Sequence, residues 1–584
     1  MKKITLFLAA IAVSFASMAA DMSGTYKVGS AAGSDYALLS EAVTALNVAT
    51  ITGDITLEIT SDITEPANIG FGVDTKGFGI TIRPDADEDR TITFTKTSDN
   101  TSPSGHFVIG YTVLTSAWAD VNIISTNNVT IDGYANGGTT RRLKFTTANV
   151  SISASKLIVI VGACQNTVIK NCIVESKSTG GSAQCIGMVT RKGTSIEVAP
   201  NGVTIDNNII TSVASLSGQG INTTSSGTLT TSRTTGLVVK NNTITAQGRV
   251  AWFYYINGAE FYNNEIHLTQ LGSANTVNYG LWTSTGTQGT FNIYNNKFIE
   301  TSTKEASLTG TLGARTLSLA SGATYNIYNN IFSGLDKKTA TTATVNLTYV
   351  FFGGTGHISN NTFYMPKITA TSTPGYYSAI QLSFANPDIK NNIFISEEDD
   401  MVNAFYSAVS TGAVDNNIFY NRAGTTKSLI VSGTTYSTLA LYQAANPTID
   451  INSKSVNVFF TDAAAGNLTL AGTSVQDGNL SVPRLADVLK NMDGTDRSDP
   501  TYAGAMESKF PFLSTSTANI EISARIMRTT TGVQVELDGE ANIELYNMSG
   551  MMLDKTKANG SYSRALDNGI YIIRINGKAT KFVK

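Results

Sequence analysis

An all-β solenoid is the fold class this sequence predicts, and three observations predict it. A four-residue phrase, Asn-Asn-x-(Ile/Phe), recurs along the chain, alternating strand-like residues precede it, and no helical apolar pattern fills the intervals. The pairs are Asn207-Asn208, Asn241-Asn242, Asn263-Asn264, Asn295-Asn296, Asn329-Asn330, Asn360-Asn361, Asn391-Asn392 and Asn416-Asn417, preceded by a degenerate copy, Lys170-Asn171-Cys172-Ile173. Counted from second Asn to second Asn, with Asn171 taken as the first, the spacings are 37, 34, 22, 32, 34, 31, 31 and 25. A period that drifts in this way is one turn of a solenoid whose loops vary in length.

Each repeat ends alike. Strands such as Phe291-Asn292-Ile293-Tyr294 and Tyr325-Asn326-Ile327-Tyr328 lead into the Asn pair, and the Ile or Phe two residues past it is expected to point back into the coil. Asn suits a corner because its short amide tolerates left-handed backbone angles and bonds nearby backbone groups. Asn208, Asn242, Asn264, Asn296, Asn330, Asn361, Asn392 and Asn417 are therefore read as a structural ladder, amide upon amide.

Composition agrees with a β-rich, turn-rich chain. Of 584 residues 51 are Gly, only 11 are Pro and 15% are charged. The formal charge of -3 becomes -5 once Lys2 and Lys3 leave with a leader, which is the wrong sign for a nucleic-acid partner. That leader reads as Lys2-Lys3, an apolar run from Ile4 to Phe15, and small residues suited to cleavage after Ala19 or Ala20. No later run is long enough for a membrane-spanning helix, so export without embedding is expected. Cys164, Cys172 and Cys185 lie within one turn; an odd number allows one bridge, and buried thiols are the favoured reading.

After the leader, Gly24–Val28 reads as a strand. Asp35 is expected to cap a helix over Tyr36–Asn47 whose Leu38, Leu39, Ala42, Val43 and Leu46 share one face. Such a helix would close the exposed first coil. The regular coils are expected to open between Val121 and Tyr134, with Asn128-Val129-Thr130-Ile131-Asp132-Gly133. From there to about residue 425 the chain resembles the right-handed parallel β-helix proteins of the pectate-lyase-like superfamily, in which N-x-x-I-x-G and N-N-x-I/F turns recur. The resemblance implies a fold; that superfamily mixes lyases, hydrolases, epimerases and adhesins, so it does not imply an activity.

Two further stretches resemble known modules. Thr438–Gln443, Asn467–Ser474, Met492–Arg497 and Ala503–Glu507 follow the order of the closing segment of secreted bacterial β-helix proteins, with Asn491 in place of the first Asp of the D-x-D-G-x-x-R stretch. Asp493, Asp496 and Asp499 lack the twelve-residue calcium pattern. From about 520 the chain alternates like a small β-sandwich. With Gly550, Leu566, Gly569, Tyr571 and the final Lys584 it looks like the type A sorting domain of the Bacteroidetes type IX secretion system, which implies export across the outer membrane and a secreted or cell-surface location. The expected division is a leader over 1–20, an N-terminal cap with the first coils over 21–119, β-helix repeats over 120–425, a closing segment over 426–515 and the sorting domain over 516–584.

Chemistry is sparse. None of His106, His267 and His357 sits in a G-H-G, and the paired carboxylates of a hydrolase or the cation and base of a lyase are not legible. Asp132, Asp206 and Asp415 read as solvated corners. The acidic run Glu397-Glu398-Asp399-Asp400 reads as a solvated loop, with calcium as its alternative role and the one cofactor the sequence suggests. Lys170, Lys240 and Lys390 share one register and read as an exposed row, or else as a basic stripe for an acidic glycan. Aromatic residues recur in the strand-rich half of successive turns; core or edge packing is the favoured reading, since alternation turns half of them inward, and Trp252, Tyr254, Tyr279, Trp282, Tyr349, Tyr376 and Tyr377 are the candidate glycan contacts of the alternative, an exposed aromatic face. The sequence thus favours a monomeric, secreted or surface-displayed binder or adhesion scaffold over a polysaccharide lyase or glycoside hydrolase with a diverged site; its expected partners are the secretion machinery and a polysaccharide or cell-surface glycan.

Overall fold

The computed structural model describes the chain from residue 20 onward, apart from 97–104, 113–122, 136, 149–155, 179–182, 193–196, 214–217, 226–230, 270–276, 285, 302–311, 335–344, 367–373, 384, 398–401, 407–412, 423–429, 433 and 513–523. The chain forms two compact units, Met1–Thr469 with Asn479–Glu507, and Leu470–Gly478 with Ser508–Lys584.

The first unit is a right-handed parallel β-helix. Three sheets run its length: sheet I, of 13 described strands from Asp21–Val28 to Val414–Asp415; sheet II, of 13 from Ile63–Glu65 to Lys454–Ser455; and sheet III, of 14 from Ile69–Phe71 to Thr434–Tyr436. The chain visits the three sheets in turn, so each strand pairs with its counterparts one coil earlier and one coil later. Inward columns make the core. On sheet II Ile210, Ile244, Ile266, Phe298, Phe332, Phe363, Phe394 and Phe419 pair in succession. The five Phe rings stack with centroids 5.0, 4.7, 4.9 and 5.1 Å apart. These are the residues two past each second Asn, and the pairing puts all of them on one line because the corner before them is identical in every coil.

That corner divides labour between the two asparagines. The first of each pair has φ between 54° and 60°, a left-handed geometry that Asn adopts at low cost. The second is buried and forms the ladder. Its Nδ2 donates to the Oδ1 of the next coil's second Asn, at 3.0 Å from Asn208 to Asn242 through to 3.1 Å from Asn392 to Asn417. It also donates to a backbone carbonyl of the preceding coil, such as Val239 O for Asn264. Asn171 does not belong to this ladder. Its φ of 56° and its backbone bond to Asp206 O place it in the first position, and Cys172, whose N–H donates to Asn208 Oδ1 at 2.8 Å, stands where the ladder Asn would be. At the other end Asn417 donates to Asp450 Oδ1 and Ser453 Oγ.

Helices cap both ends of the core. α1 (Leu39–Val48) buries Leu39, Ala42, Val43 and Leu46. It starts later than Asp35 suggests, because that carboxylate accepts from Lys27 N instead, while Glu41 takes the N–H groups of Ala37 and Leu38. α2 (Leu439–Ala445), capped by Thr438 Oγ1, buries Leu439 and Tyr442. The strands Thr50–Ile59 and Ile80–Pro84 already pair in sheet I, so regular coiling begins well before Val121. Residues 479–507 return along the asparagine corner. There Arg497, 2% exposed, donates to Asn329 Oδ1 at 2.7 Å and to the carbonyls of Lys490, Tyr502, Gly504 and Ala505. Asn329 and Asn391 return bonds to Lys490 O and Pro483 O.

The second unit holds a five-stranded antiparallel sheet of Ala524–Arg528, Gly532–Asn547, Met552–Ala565, Ile570–Ile575 and Lys578–Val583. On one edge of the longest strand Val533–Leu537 pairs with Ala524–Arg528 and Ile543–Asn547 with Ile570–Ile575, and on the other its register with Met552–Ala565 shifts between Glu536 and Glu540. Tyr571 packs on Phe582, Gly550 turns with φ 77°, Leu566 N donates to Thr531 O, and Lys584 and Gly569 exchange backbone bonds.

Candidate functional site

The outer face of sheet III carries a group of stacked aromatic and cationic side chains outside the core. It arises from a break in strand alternation. In Arg249-Val250-Ala251-Trp252 the two middle residues are both buried, so Arg249 and Trp252, three apart, both face out. The same pattern holds for Tyr279-Gly280-Leu281-Trp282. Pairing then aligns two outward columns across coils. One runs Gln219, Arg249, Tyr279, Arg315, Thr348; the other runs Asn222, Trp252, Trp282, Ser318, Phe351.

Within these columns the rings stack. Trp252 and Trp282 lie 5.1 Å apart and 6° from parallel, Tyr279 covers Trp282 at 4.6 Å, and Tyr254 meets Trp252 edge-on at 5.0 Å. The Arg249 guanidinium carbon sits 4.1 Å from the Trp252 ring centre and 4.9 Å from that of Trp282; that of Arg315 sits 3.9 Å from Phe351. Burial holds both guanidinium pKa values below the ordinary arginine value, and among the described residues no carboxylate opposes it. Half-buried cations without counter-ions are favourable places for an anion. An open depression of about 490 Å³ lies between Tyr279 and Trp282 on one side and Arg315 and Phe351 on the other, over Ser318.

Of the aromatic candidates read from sequence, Trp252, Tyr254, Tyr279 and Trp282 meet on this face. Tyr349 does not. It is fully buried with its hydroxyl on Tyr364 O, because in its coil Thr348 and Phe351 take the outward places and Tyr349 with Val350 the two inward ones. Tyr376 and Tyr377 fall on the strand Pro374–Leu382, but their side chains lie outside the described residues. The two arginines were missed. Strict alternation assigns residues three apart to opposite faces; the only sequence signal was Arg preceding Trp or Ser at that spacing in strands of equal register.

The remaining candidates are engaged elsewhere. Lys170 pairs with Asp132 at 3.0 Å and Lys240 with Asp206 at 3.3 Å, and in register the order is Asp132, Lys170, Asp206, Lys240, so this column is alternating rather than basic. Lys390 bonds Asp388. The same column continues as Tyr262, Tyr294 and Tyr328, stacked at 4.7 and 4.9 Å, a second aromatic row that the residue before each Asn pair announces in the sequence. Glu397 is held by Arg422 and the Tyr364 hydroxyl, whereas Glu398, Asp399 and Asp400 lie outside the described residues. Asp496 pairs with Lys490, and Asp493 accepts from Thr495. Among the described residues no three His, Cys, Asp or Glu side chains come together in a way that could hold a metal ion, and no helix is long and apolar enough to cross a membrane. The three thiols are free and buried.

No protein-family model matches the chain, and no curated protein sequence matches it. Solved structures with a similar course include PfbA, a surface adhesin of Streptococcus pneumoniae, at 15% identity and TM-score 0.31, covering 67% of this chain and 87% of that one. The pectin methylesterase of Aspergillus niger has 12% identity and TM-score 0.22 over 74% and 98% of the two chains. A rhamnogalacturonan lyase has 9% identity and TM-score 0.28 over 83% and 97%. Likeness at this level carries no argument about activity. On its own strand pairing, with three parallel sheets wound coil upon coil, this chain is a right-handed parallel β-helix.

Proposed function

We propose that the protein is an exported, surface-associated β-helix that binds an extended glycan on the outer face of sheet III and does not cleave it. The observation that carries this reading is the row of Arg249, Trp252, Tyr279, Trp282, Arg315 and Phe351. It crosses four successive coils and so runs about 14 Å along the axis at the usual strand spacing. Such a row offers apolar ring edges and guanidinium donors in line with an extended chain, without a pair of carboxylates among them to act as acid and base. Export by a leader and the type IX machinery, which Gly550, Leu566, Gly569, Tyr571 and Lys584 suggest, would place that face outside the cell.

The test is to incubate the purified protein with immobilised acidic and neutral polysaccharides, with and without calcium, and to follow bound protein and new chain ends. Retention that Trp282→Ala weakens, with no new ends, is the expected result. New reducing or unsaturated ends would overturn the non-catalytic reading, and retention that the substitution leaves unchanged would move the site off sheet III.

A further inference from the structure

The outward aromatic column of sheet III has an interrupted rung. Strand pairing sets Trp252, Trp282, Ser318 and Phe351 in consecutive coils, so a hydroxymethyl stands where its neighbours carry rings. Two stacked pairs flank the interruption, Tyr279 on Trp282 at 4.6 Å and Arg315 on Phe351 at 3.9 Å, and both line the depression of about 490 Å³ above Ser318. We propose that this depression is a subsite for one anionic sugar residue of the bound glycan, carrying a carboxylate or a sulfate, and that Ser318 is the residue that keeps it open. This inference rests on the glycan-binding reading and adds its chemical selectivity.

The charge requirement comes from Arg315. A guanidinium stacked on a ring has its face occupied and its in-plane N–H edge free, the geometry that takes an oxyanion in two parallel hydrogen bonds. No carboxylate among the described residues fills that role for Arg315. The ring requirement comes from the opposite wall, where Tyr279 and Trp282 present an aromatic surface suited to the apolar face of a pyranose. The size requirement comes from the register, since one rung alone, Ser318, separates Trp282 from Phe351, a gap of about 10 Å at the usual strand spacing that seats one sugar residue between the two walls. The rest of the row would then carry neighbouring residues less selectively.

Ser318→Phe is the decisive variant, since it completes the stack with a residue its neighbours already accommodate, and Arg315→Gln removes the charge while keeping most of the wall. Calorimetric titration of the full chain would use three oligosaccharides of one length: uronate-bearing, sulfated and neutral. At least one acidic ligand is expected to bind more tightly than the neutral one. Arg315→Gln should weaken the preferred acidic ligand roughly 30-fold, the low end for truncating one side of a desolvated charge pair. Ser318→Phe should abolish that preference with far-UV spectrum and melting temperature unchanged. Equal binding of neutral and acidic ligands, or a folded Ser318→Phe protein that keeps its preference, would overturn the subsite while leaving the glycan row standing. Binding of none of the three would overturn both.

Discussion

The two asparagines of each corner should respond to substitution in opposite ways, and Asn263 with Asn264 provide the comparison within one coil. Asn264 is 2% exposed and spends its whole hydrogen-bonding capacity inside. It donates to Val239 O at 2.9 Å and Asn296 Oδ1 at 3.0 Å, and its oxygen accepts from Asn242 N and Asn242 Nδ2, both at 3.0 Å. Asn264→Ala removes four bonds at about 1 kcal/mol each and leaves Asn242 N without its acceptor in the interior, so a loss of about 4 kcal/mol is expected. Asn264→Gly should cost as much, since the amide and not the backbone angle is what is lost. Asn263 is exposed with φ 55° and makes one surface bond, to Asn241 Oδ1 at 3.2 Å. There Ala should cost about 1–2 kcal/mol through the left-handed angle, and Gly within about 1 kcal/mol of nothing. Equilibrium urea unfolding of the five proteins, compared by midpoint at unchanged slope, measures these differences. If Asn264→Ala is no more costly than Asn263→Ala, the ladder is not what holds the corner.

Other expectations concern the ends of the ladder, the strap and the thiols. Burial raises the Asp450 carboxyl to about 6 from an ordinary 3.8. The folded protein therefore holds a proton that the unfolded chain releases, so the contribution of this group to stability is full below about pH 4, declines by roughly 3 kcal/mol between about pH 4 and 6, and is lost above that. Asp450→Asn should flatten that dependence and raise stability at pH 8, as urea midpoints at several pH values would show. Arg497→Leu takes the Arg497 donor from the Asn329 Oδ1 and the Gly504 carbonyl, and a loss of about 3–5 kcal/mol is expected; limited proteolysis should then cut within 479–507 first. Burial pushes Cys164 and Cys185 up to about 12 and Cys172 higher still. None should react with a thiol reagent in the native protein at neutral pH, and all three should react in urea; one fast-reacting thiol in the native state would contradict the burial.

What the sequence by itself determined is the coil. Asn-Asn-x-(Ile/Phe) fixes a left-handed residue, an amide bonded to the next coil and an inward side chain within four consecutive positions, so every element of the corner is local and repeats visibly. Even there the degenerate copy needed the structure, because Asn171 and Cys172 match either position of the pair until the left-handed angle and the bond to Asn208 assign them. The outer surface was decided only by tertiary structure. Its residues are brought together by pairing between strands 30 to 36 residues apart, with loops of unequal length between them, and by two successive buried residues in each of the four strands of the site that shift the alternation. That shift turns Tyr349 inward, brings Arg249 beside Trp252, and sets Ser318 in line with Trp282 and Phe351. A fold written in a repeated local rule is legible from one copy of it, whereas a site assembled from non-repeating residues across coils depends on register, which only the packed core sets.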